Sequence, residues 1–143
     1  MSDKIPRIYI LDDDMVSTFD IGVKLHQSKK TFDSECFESM ERFKVVMESH
    51  FRFNSKVVDI LMISLDIDGV DREQIMTAIK KAHEIGRNFQ TYFFSRYISK
   101  ELADFVQRSD LISDIFSKPL TRDNIDHIFD NYRKRSARRS FSA

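Results

Sequence analysis

A chain of 143 residues has the length of one ordinary domain, and its 41% of hydrophobic residues exclude a wholly disordered protein. Lys and Arg total 23, as do Asp and Glu, so the net charge gives no argument for a nucleic acid or an anionic membrane as partner. The single cysteine, Cys36, excludes an internal disulfide, and we expect it to be a buried structural thiol. The absence of a long apolar stretch predicts a cytoplasmic protein with no signal peptide and no membrane span.

Strand and helix patterns alternate along the chain. The β-branched and aromatic run RIYIL at residues 7–11 predicts the first strand, and a continuous apolar run at 57–65 predicts a strand buried on both faces. Met40, Phe43 and Met47, at steps of three and four residues, are typical of an amphipathic helix. In chain order the predicted elements are strand 7–11, helix 16–28, strand 31–37, helix 38–51, strand 57–65, helix 72–85, strand 91–95, helix 100–108, strand 114–117 and a last helix with Thr121 as its N-cap.

This alternation predicts an α/β fold, a doubly wound five-stranded parallel sheet with helices on both faces. In such sheets ligands bind at the carboxyl ends of the strands. Polar side chains stand at four of these ends, and their convergence is the main functional signal in the sequence. They are Asp12–Asp14, Ser64–Asp66, Ser95 and Lys118.

Two motifs resemble the receiver domain of bacterial two-component response regulators. YILDDDMVS, at residues 9–17, is similar to that family's first-strand acid motif, and FSKPL, at 116–120, is similar to its Lys-Pro motif, in which the peptide bond is usually cis. The resemblance covers about residues 6–130 and implies the flavodoxin-like strand order 2-1-3-4-5. It also implies an acid pair for Mg²⁺, a hydroxyl that binds a phosphate oxygen and a lysine that pairs with the acyl phosphate. These roles fall on Asp12 with Asp13, on Ser95 and on Lys118.

The phosphoacceptor position departs from the resemblance. In the family an Asp commonly stands five residues before the acceptor Asp, and counting from Asp59 places Ser64 there. Ile115 stands where the family has its aromatic switch residue. Arg96 stands where the family generally has a small residue. A serine hydroxyl is not ionised and needs a general base to act as a nucleophile. The four histidines all fall in predicted helices, so none is placed at a strand end to act as that base. The sequence therefore predicts an atypical receiver that is not phosphorylated at the usual site.

Cofactor and partner expectations follow from the same comparison. With one carboxylate missing, we expect at most weak Mg²⁺ binding by Asp12, Asp13 and the backbone carbonyl of Asp66, and a structural ion pair of the acids with Lys118 is the alternative. We expect no enzyme activity. The resemblance implies a signalling protein as partner, a histidine kinase or a downstream effector, at the face of the fourth helix, fifth strand and fifth helix. Homodimers can use the same face.

The end of the chain is basic. Residues 131–143, NYRKRSARRSFSA, hold five basic residues and three serines. We expect residues 1–130 to form the receiver-like domain and 131–143 a basic, flexible tail, with an electrostatic patch for an acidic partner, nucleic acid or membrane as the alternative. No output domain fits in so few residues, so we expect no sequence-specific DNA binding.

Two other interpretations stay open. One is a stand-alone response regulator that is still phosphorylated, at Asp66 or another acid of the pocket. The other rests on LMISLDIDGV, at residues 61–70, which resembles the first motif of haloacid-dehalogenase-type phosphatases. That resemblance implies Asp66 as nucleophile and Asp68 as acid/base, with Ser95 and Lys118 as the next two motifs. No later strand ends in the acid pair that those phosphatases need for Mg²⁺.

Overall fold

The computed structural model describes residues 5–52, 58–85 and 89–142. Its five strands form one parallel sheet in the order β2-β1-β3-β4-β5, which confirms the predicted fold class and strand order. In chain order the elements are β1 (Arg7–Leu11), α1 (Met15–Gln27), β2 (Asp33–Phe37), α2 (Met40–Arg52), β3 (Ile60–Ser64), α3 (Arg72–Ile85), β4 (Gln90–Ser95), α4 (Lys100–Arg108), β5 (Asp114–Ser117) and α5 (Arg122–Ser142).

The central strands are buried on both faces, as the apolar run of the third strand predicted. Side chains of alternating residues belong to two different core layers, because successive side chains of a strand point to opposite faces. In β3, Leu61 and Ile63 pack on the side of α2, α3 and α4, whereas Ile60 and Met62 pack on the side of α1 and α5. No helix in the described part of the chain is long and apolar enough to cross a membrane.

Apolar side chains of α1 and the thiol of β2 are exposed. Val16 and Phe19 of α1 are 78% and 74% exposed, and α1 buries only Ile21 and Leu25. The expected burial of Cys36 is wrong, since this thiol is exposed. Its strand, β2, lies at the edge of the sheet, where only one neighbouring strand covers it.

The C-terminal segment continues the last helix. α5 extends to Ser142, through the residues for which a basic, flexible tail was expected, and the division of the chain at residue 130 stays a prediction. Arg, Lys and Ala are good helix formers, and the segment contains neither Gly nor Pro. The predicted N-cap is confirmed, and it is reciprocal: the Thr121 hydroxyl accepts from the Asn124 N–H at 3.1 Å, and the Asn124 side-chain oxygen accepts from the Thr121 N–H at 2.9 Å. Asn124 thus takes the place of the Glu or Gln of a capping box.

Candidate functional site at the carboxyl edge of the sheet

The parallel register brings the polar strand ends to one edge of the sheet. Ser64 of β3 pairs with Phe94 of β4, and Ser95 of β4 pairs with Ser117 of β5. The backbone N–H of Lys118 donates to the Ser95 carbonyl at 2.8 Å, so the ladder continues one residue past β5. The Lys118–Pro119 peptide bond is cis.

Lys118 forms the centre of the site. Its Nζ lies 3.1 Å from Oδ2 of Asp12 and 3.3 Å from Oδ2 of Asp66. The side chains of Lys118 and Asp12 are 7% and 0% exposed, so this ion pair is buried. The Asp12 contact is ionic and lacks hydrogen-bond geometry. The structure therefore has the ion pair that was the alternative to metal binding.

The side chain of Asp66 points into the pocket, as both alternative interpretations of the sequence required and the receiver resemblance did not. Its Oδ1 accepts from the Ser95 hydroxyl at 2.9 Å, and its Oδ2 accepts from the backbone N–H of Arg96 at 2.9 Å. Burial raises the pKa of Asp66. The Arg96 N–H, the Ser95 hydroxyl and Lys118 lower this pKa by more than burial raises it, so the pKa of Asp66 lies below its usual value. The Asp66 carboxylate is therefore ionised at neutral pH.

Ser64 contacts the backbone of Asp66. Its side chain is completely buried, and its hydroxyl accepts a hydrogen bond from the Asp66 N–H at 3.1 Å. A serine that bonds the backbone two residues further on forms a local turn. In this turn the Asp66 carboxylate faces β4 and the end of β5. The receiver resemblance assigned a backbone carbonyl of Asp66 to the pocket, and a local turn of this kind leaves no signal in strand periodicity.

The other acids also have donors within the protein. Oδ2 of Asp13 accepts from the Asp68 N–H at 3.1 Å. Oδ1 of Asp14 caps α1 by accepting from Val16 N–H and Ser17 N–H, and its Oδ2 accepts from the Arg96 guanidinium at 3.0 Å. The Ser17 N–H is the main cause that holds the pKa of Asp14 below its usual value.

The acids of this edge already have partners within the protein, which bears on Mg²⁺ binding. Mg²⁺ takes about six oxygen ligands in octahedral geometry. The described residues contain no group of three or more His, Cys, Asp or Glu side chains that could hold a metal ion. Of the two expected acid ligands, Asp12 is paired with Lys118 and Asp13 accepts a hydrogen bond from the Asp68 N–H. The weak Mg²⁺ binding expected for Asp12, Asp13 and the Asp66 carbonyl stays a prediction.

Arg96 and Ile115, the two further departures from the family pattern, have different surroundings. The Arg96 side chain is 69% exposed and reaches from the end of β4 to the start of α1. It lies over the pocket rim, whereas its backbone N–H binds Asp66 inside. Ile115 is partly buried and packs against the core layer of α2, α3 and α4. An aliphatic side chain thus fills the switch position.

Two further features belong to the elements around the site. Tyr97, in the loop from β4 to α4, is 77% exposed. Arg72 of α3 makes a bidentate ion pair with Glu101 of α4, at 2.8 and 3.1 Å, and its guanidinium lies 4.6 Å from the centre of the Phe105 ring. The two partners are 29 residues apart in the chain, so no local pattern signals the contact that joins these helices.

The pKa of Asp66 predicts an acid-sensitive contribution to stability. A carboxyl whose pKa is lowered by folding stabilises the folded state fully above its unfolded pKa of about 3.9, and this stabilisation is lost as the pH falls through the lower folded value. We therefore expect Asp66→Asn to be less stable than the wild type from pH 7 to about pH 5, and the difference to shrink below about pH 4. Urea unfolding at a series of pH values measures it.

The control for this prediction is Asp110→Asn, which neutralises an exposed carboxylate. Its unfolding free energy should stay within about 0.5 kcal/mol of the wild type at neutral pH. A difference between wild type and Asp66→Asn that is the same at pH 7 and pH 3 contradicts the prediction.

Comparisons with solved structures show the same fold. The chain is similar to a two-component response regulator from Cytophaga hutchinsonii, with a TM-score of 0.82 and 14% identity over 92% of this chain and 99% of that chain. A CheY-like receiver domain protein from Methanospirillum hungatei gives 0.73 and 15% over 94% and 99%. The signal receiver domain of an HD domain-containing protein from Pseudomonas fluorescens gives 0.68 and 12% over 92% and 97%. The sequence matches no protein-family model and no curated protein. The fold is therefore that of CheY-like receivers.

Proposed function

We propose that this chain is an atypical receiver, or pseudo-receiver, of two-component signalling, which acts by protein–protein interaction and is not phosphorylated at the usual site. The observation that carries the proposal is the position of Ser64. The residue expected at the acceptor position has a buried hydroxyl engaged in a backbone turn. A neutral serine with that role lacks the anionic nucleophile that an aspartate provides.

The proposed partner surface is the face formed by α4, β5 and α5. It borders the pocket, because the loop that binds Asp66 leads directly into α4, with Ser99 as the N-cap. Tyr97 is an exposed aromatic side chain in this loop, and aromatic residues are enriched at the centres of protein interfaces. A histidine kinase or a downstream effector is the proposed partner class, and a second copy of the chain can occupy the same face.

One observation favours a second candidate function, phosphorylation at Asp66. Its carboxylate lies beside Ser95 and Lys118, the residue types that both resembled families use around a transferred phosphoryl group. Against this function, both carboxylate oxygens already accept hydrogen bonds. Hydrogen bonds to the ionised carboxylate stabilise that form and make its oxygens weaker nucleophiles.

Phosphodonor labelling distinguishes the two functions. Wild-type protein is incubated with Mg²⁺ and acetyl phosphate or beryllofluoride, and intact mass and amide shifts are recorded. We expect no stoichiometric adduct on the wild type. A labelled wild type contradicts the proposal, and loss of that label in Asp66→Asn would assign the modification to Asp66. Hydrolysis of a generic phosphate ester that Asp66→Asn abolishes would instead support the phosphatase interpretation.

Ser64→Asp tests whether Ser64 stands at the acceptor position. This variant places a carboxylate at the end of β3, near the other acids of the site. We expect it to acquire an adduct with the same donors, because an ionised aspartate is a competent nucleophile. The matched control is Ser64→Asn, which has nearly the same size but no charge and should remain unlabelled. Labelling of neither variant would contradict the assignment of Ser64.

A further inference from the structure

Two hydrogen-bond donors and one cation, from two strand ends, converge on one point of the pocket. They are the Ser95 hydroxyl, the backbone N–H of Arg96 and the ammonium of Lys118, whose contact with Asp66 is ionic. A hydroxyl, an amide N–H and a cation form the kind of donor set that binds the oxygens of an anion such as a carboxylate or a phosphate. The group that they bind in this structure is the carboxylate of Asp66, with one oxygen on Ser95 and the other on Arg96 and Lys118.

The loop that follows β4 is held by these contacts. The Ser95 hydroxyl lies 3.0 Å from the Tyr97 carbonyl as well as 2.9 Å from Asp66, and the Arg96 side chain bonds to Asp14. Two residues after Tyr97, the Ser99 hydroxyl caps α4 by accepting from the Leu102 N–H. Residues 95–99 thus connect the pocket to the start of α4, and the first two of them, Ser95 and Arg96, both donate to Asp66.

We infer that Asp66 is a built-in anion that holds the β4–α4 loop in one conformation, at the place where a receiver would hold a phosphoryl group. This inference rests on the proposed function and adds how the partner surface is regulated. The surface next to the loop is formed permanently, without phosphorylation and without a metal ion. The same argument implies that the two donors and the Lys118 ammonium become a site for a small free anion once the Asp66 carboxylate is removed.

Asp66→Ala tests the inference by creating that vacancy. We expect the Arg96 amide to exchange its hydrogen about 10- to 100-fold faster in the variant, since a hydrogen bond to a charged acceptor is lost. The amide shifts of Arg96 and Tyr97 should also change. Adding sodium acetate or inorganic phosphate at constant ionic strength should restore slow exchange in Asp66→Ala, and should have no effect on the wild type.

Two controls make the test specific. Asp66→Asn keeps the size of the side chain and one carbonyl oxygen but no charge, and it should show faster Arg96 exchange even if Asp66→Ala does not fold. Asp110→Ala removes an exposed carboxylate and should leave the exchange of Arg96 unchanged. Sodium chloride at the same ionic strength replaces acetate in the parallel sample and should restore nothing.

Several outcomes overturn the inference. Unchanged Arg96 exchange in both Asp66 variants would show that the carboxylate does not hold the loop. Equal effects of acetate on wild type and Asp66→Ala would show that the donors are already free. These results are independent of phosphodonor labelling: a wild type without an adduct but with unchanged exchange in the Asp66 variants retains the proposed function and loses only this inference.

Discussion

Lys118→Met is expected to lower the free energy of unfolding by about 3–5 kcal/mol at neutral pH, because it leaves a buried carboxylate without its cation. The Asp12 side chain is completely buried, and Lys118 Nζ is 3.1 Å from its Oδ2. Methionine preserves most of the side-chain volume, so the loss reports charge rather than a cavity. Urea unfolding followed by far-ultraviolet circular dichroism and tyrosine fluorescence measures the change.

The double variant Asp12→Asn/Lys118→Met separates the charge effect from other damage. Removing both charges should recover part of the lost stability, since replacing a whole buried ion pair is much less costly than removing one partner. Lys44→Met is the control, because Lys44 is exposed on α2 and its loss should change stability by less than about 0.5 kcal/mol. A Lys118→Met variant as stable as Lys44→Met would show that the ion pair does not support the fold.

Phe94→Ala is the second change with a large expected effect, a loss of about 3–5 kcal/mol. The ring is completely buried in the core layer of α1 and α5. The centre of the ring lies 5.2 Å from Lys118 Nζ, so the ring also makes a cation–π contact with the ammonium of the site. Chemical denaturation at 25 °C measures the loss, and Val45→Ala, at a position 66% exposed, provides the surface control.

Phe94→Leu distinguishes the two roles of this ring. Leucine retains most of the apolar contact and removes the aromatic face, so we expect a loss of less than about 1.5 kcal/mol. In a double-mutant cycle with Lys118→Met, the aromatic contribution should appear as a non-additive term. Equal losses for Phe94→Leu and Phe94→Ala would contradict the idea that buried volume is the dominant contribution.

Sequence periodicity predicted those elements whose burial is regular. The bounds of α3, α4 and β5 agree with their predictions to the residue, since α3 and α4 have clear apolar faces and β5 ends at a Lys-Pro pair. Cys36 was expected to be buried and is exposed, because its strand, β2, lies at the edge of the sheet. Periodicity shows which face of an element is apolar, but not whether a neighbour covers that face, and the exposed Phe19 of α1 has the same explanation.

The residues that meet at the site were expected there, and of their contacts only the ion pair of the acids with Lys118 was expected. Strand order alone brought Asp12, Ser95 and Lys118 to one edge. The acceptor position was assigned by counting five residues on from Asp59. In the structure Asp59 has a structural role, because its carboxylate accepts from the Arg7 N–H at 2.9 Å. The orientation of Asp66 goes together with single hydrogen bonds to Ser64, Ser95 and Arg96, and such contacts leave no periodic signal in the sequence.

The unbroken α5 has a geometric consequence for whatever contacts its C-terminal end. Its 21 residues, at about 1.5 Å rise and 100° rotation per residue, form a rod roughly 32 Å long that begins at the Thr121 cap. One residue inserted into the exposed part of this rod would turn everything beyond it by about 100°, whereas seven would nearly restore the original direction. A partner that touches both the sheet edge and the end of the rod would therefore be sensitive to rotational phase as well as to charge.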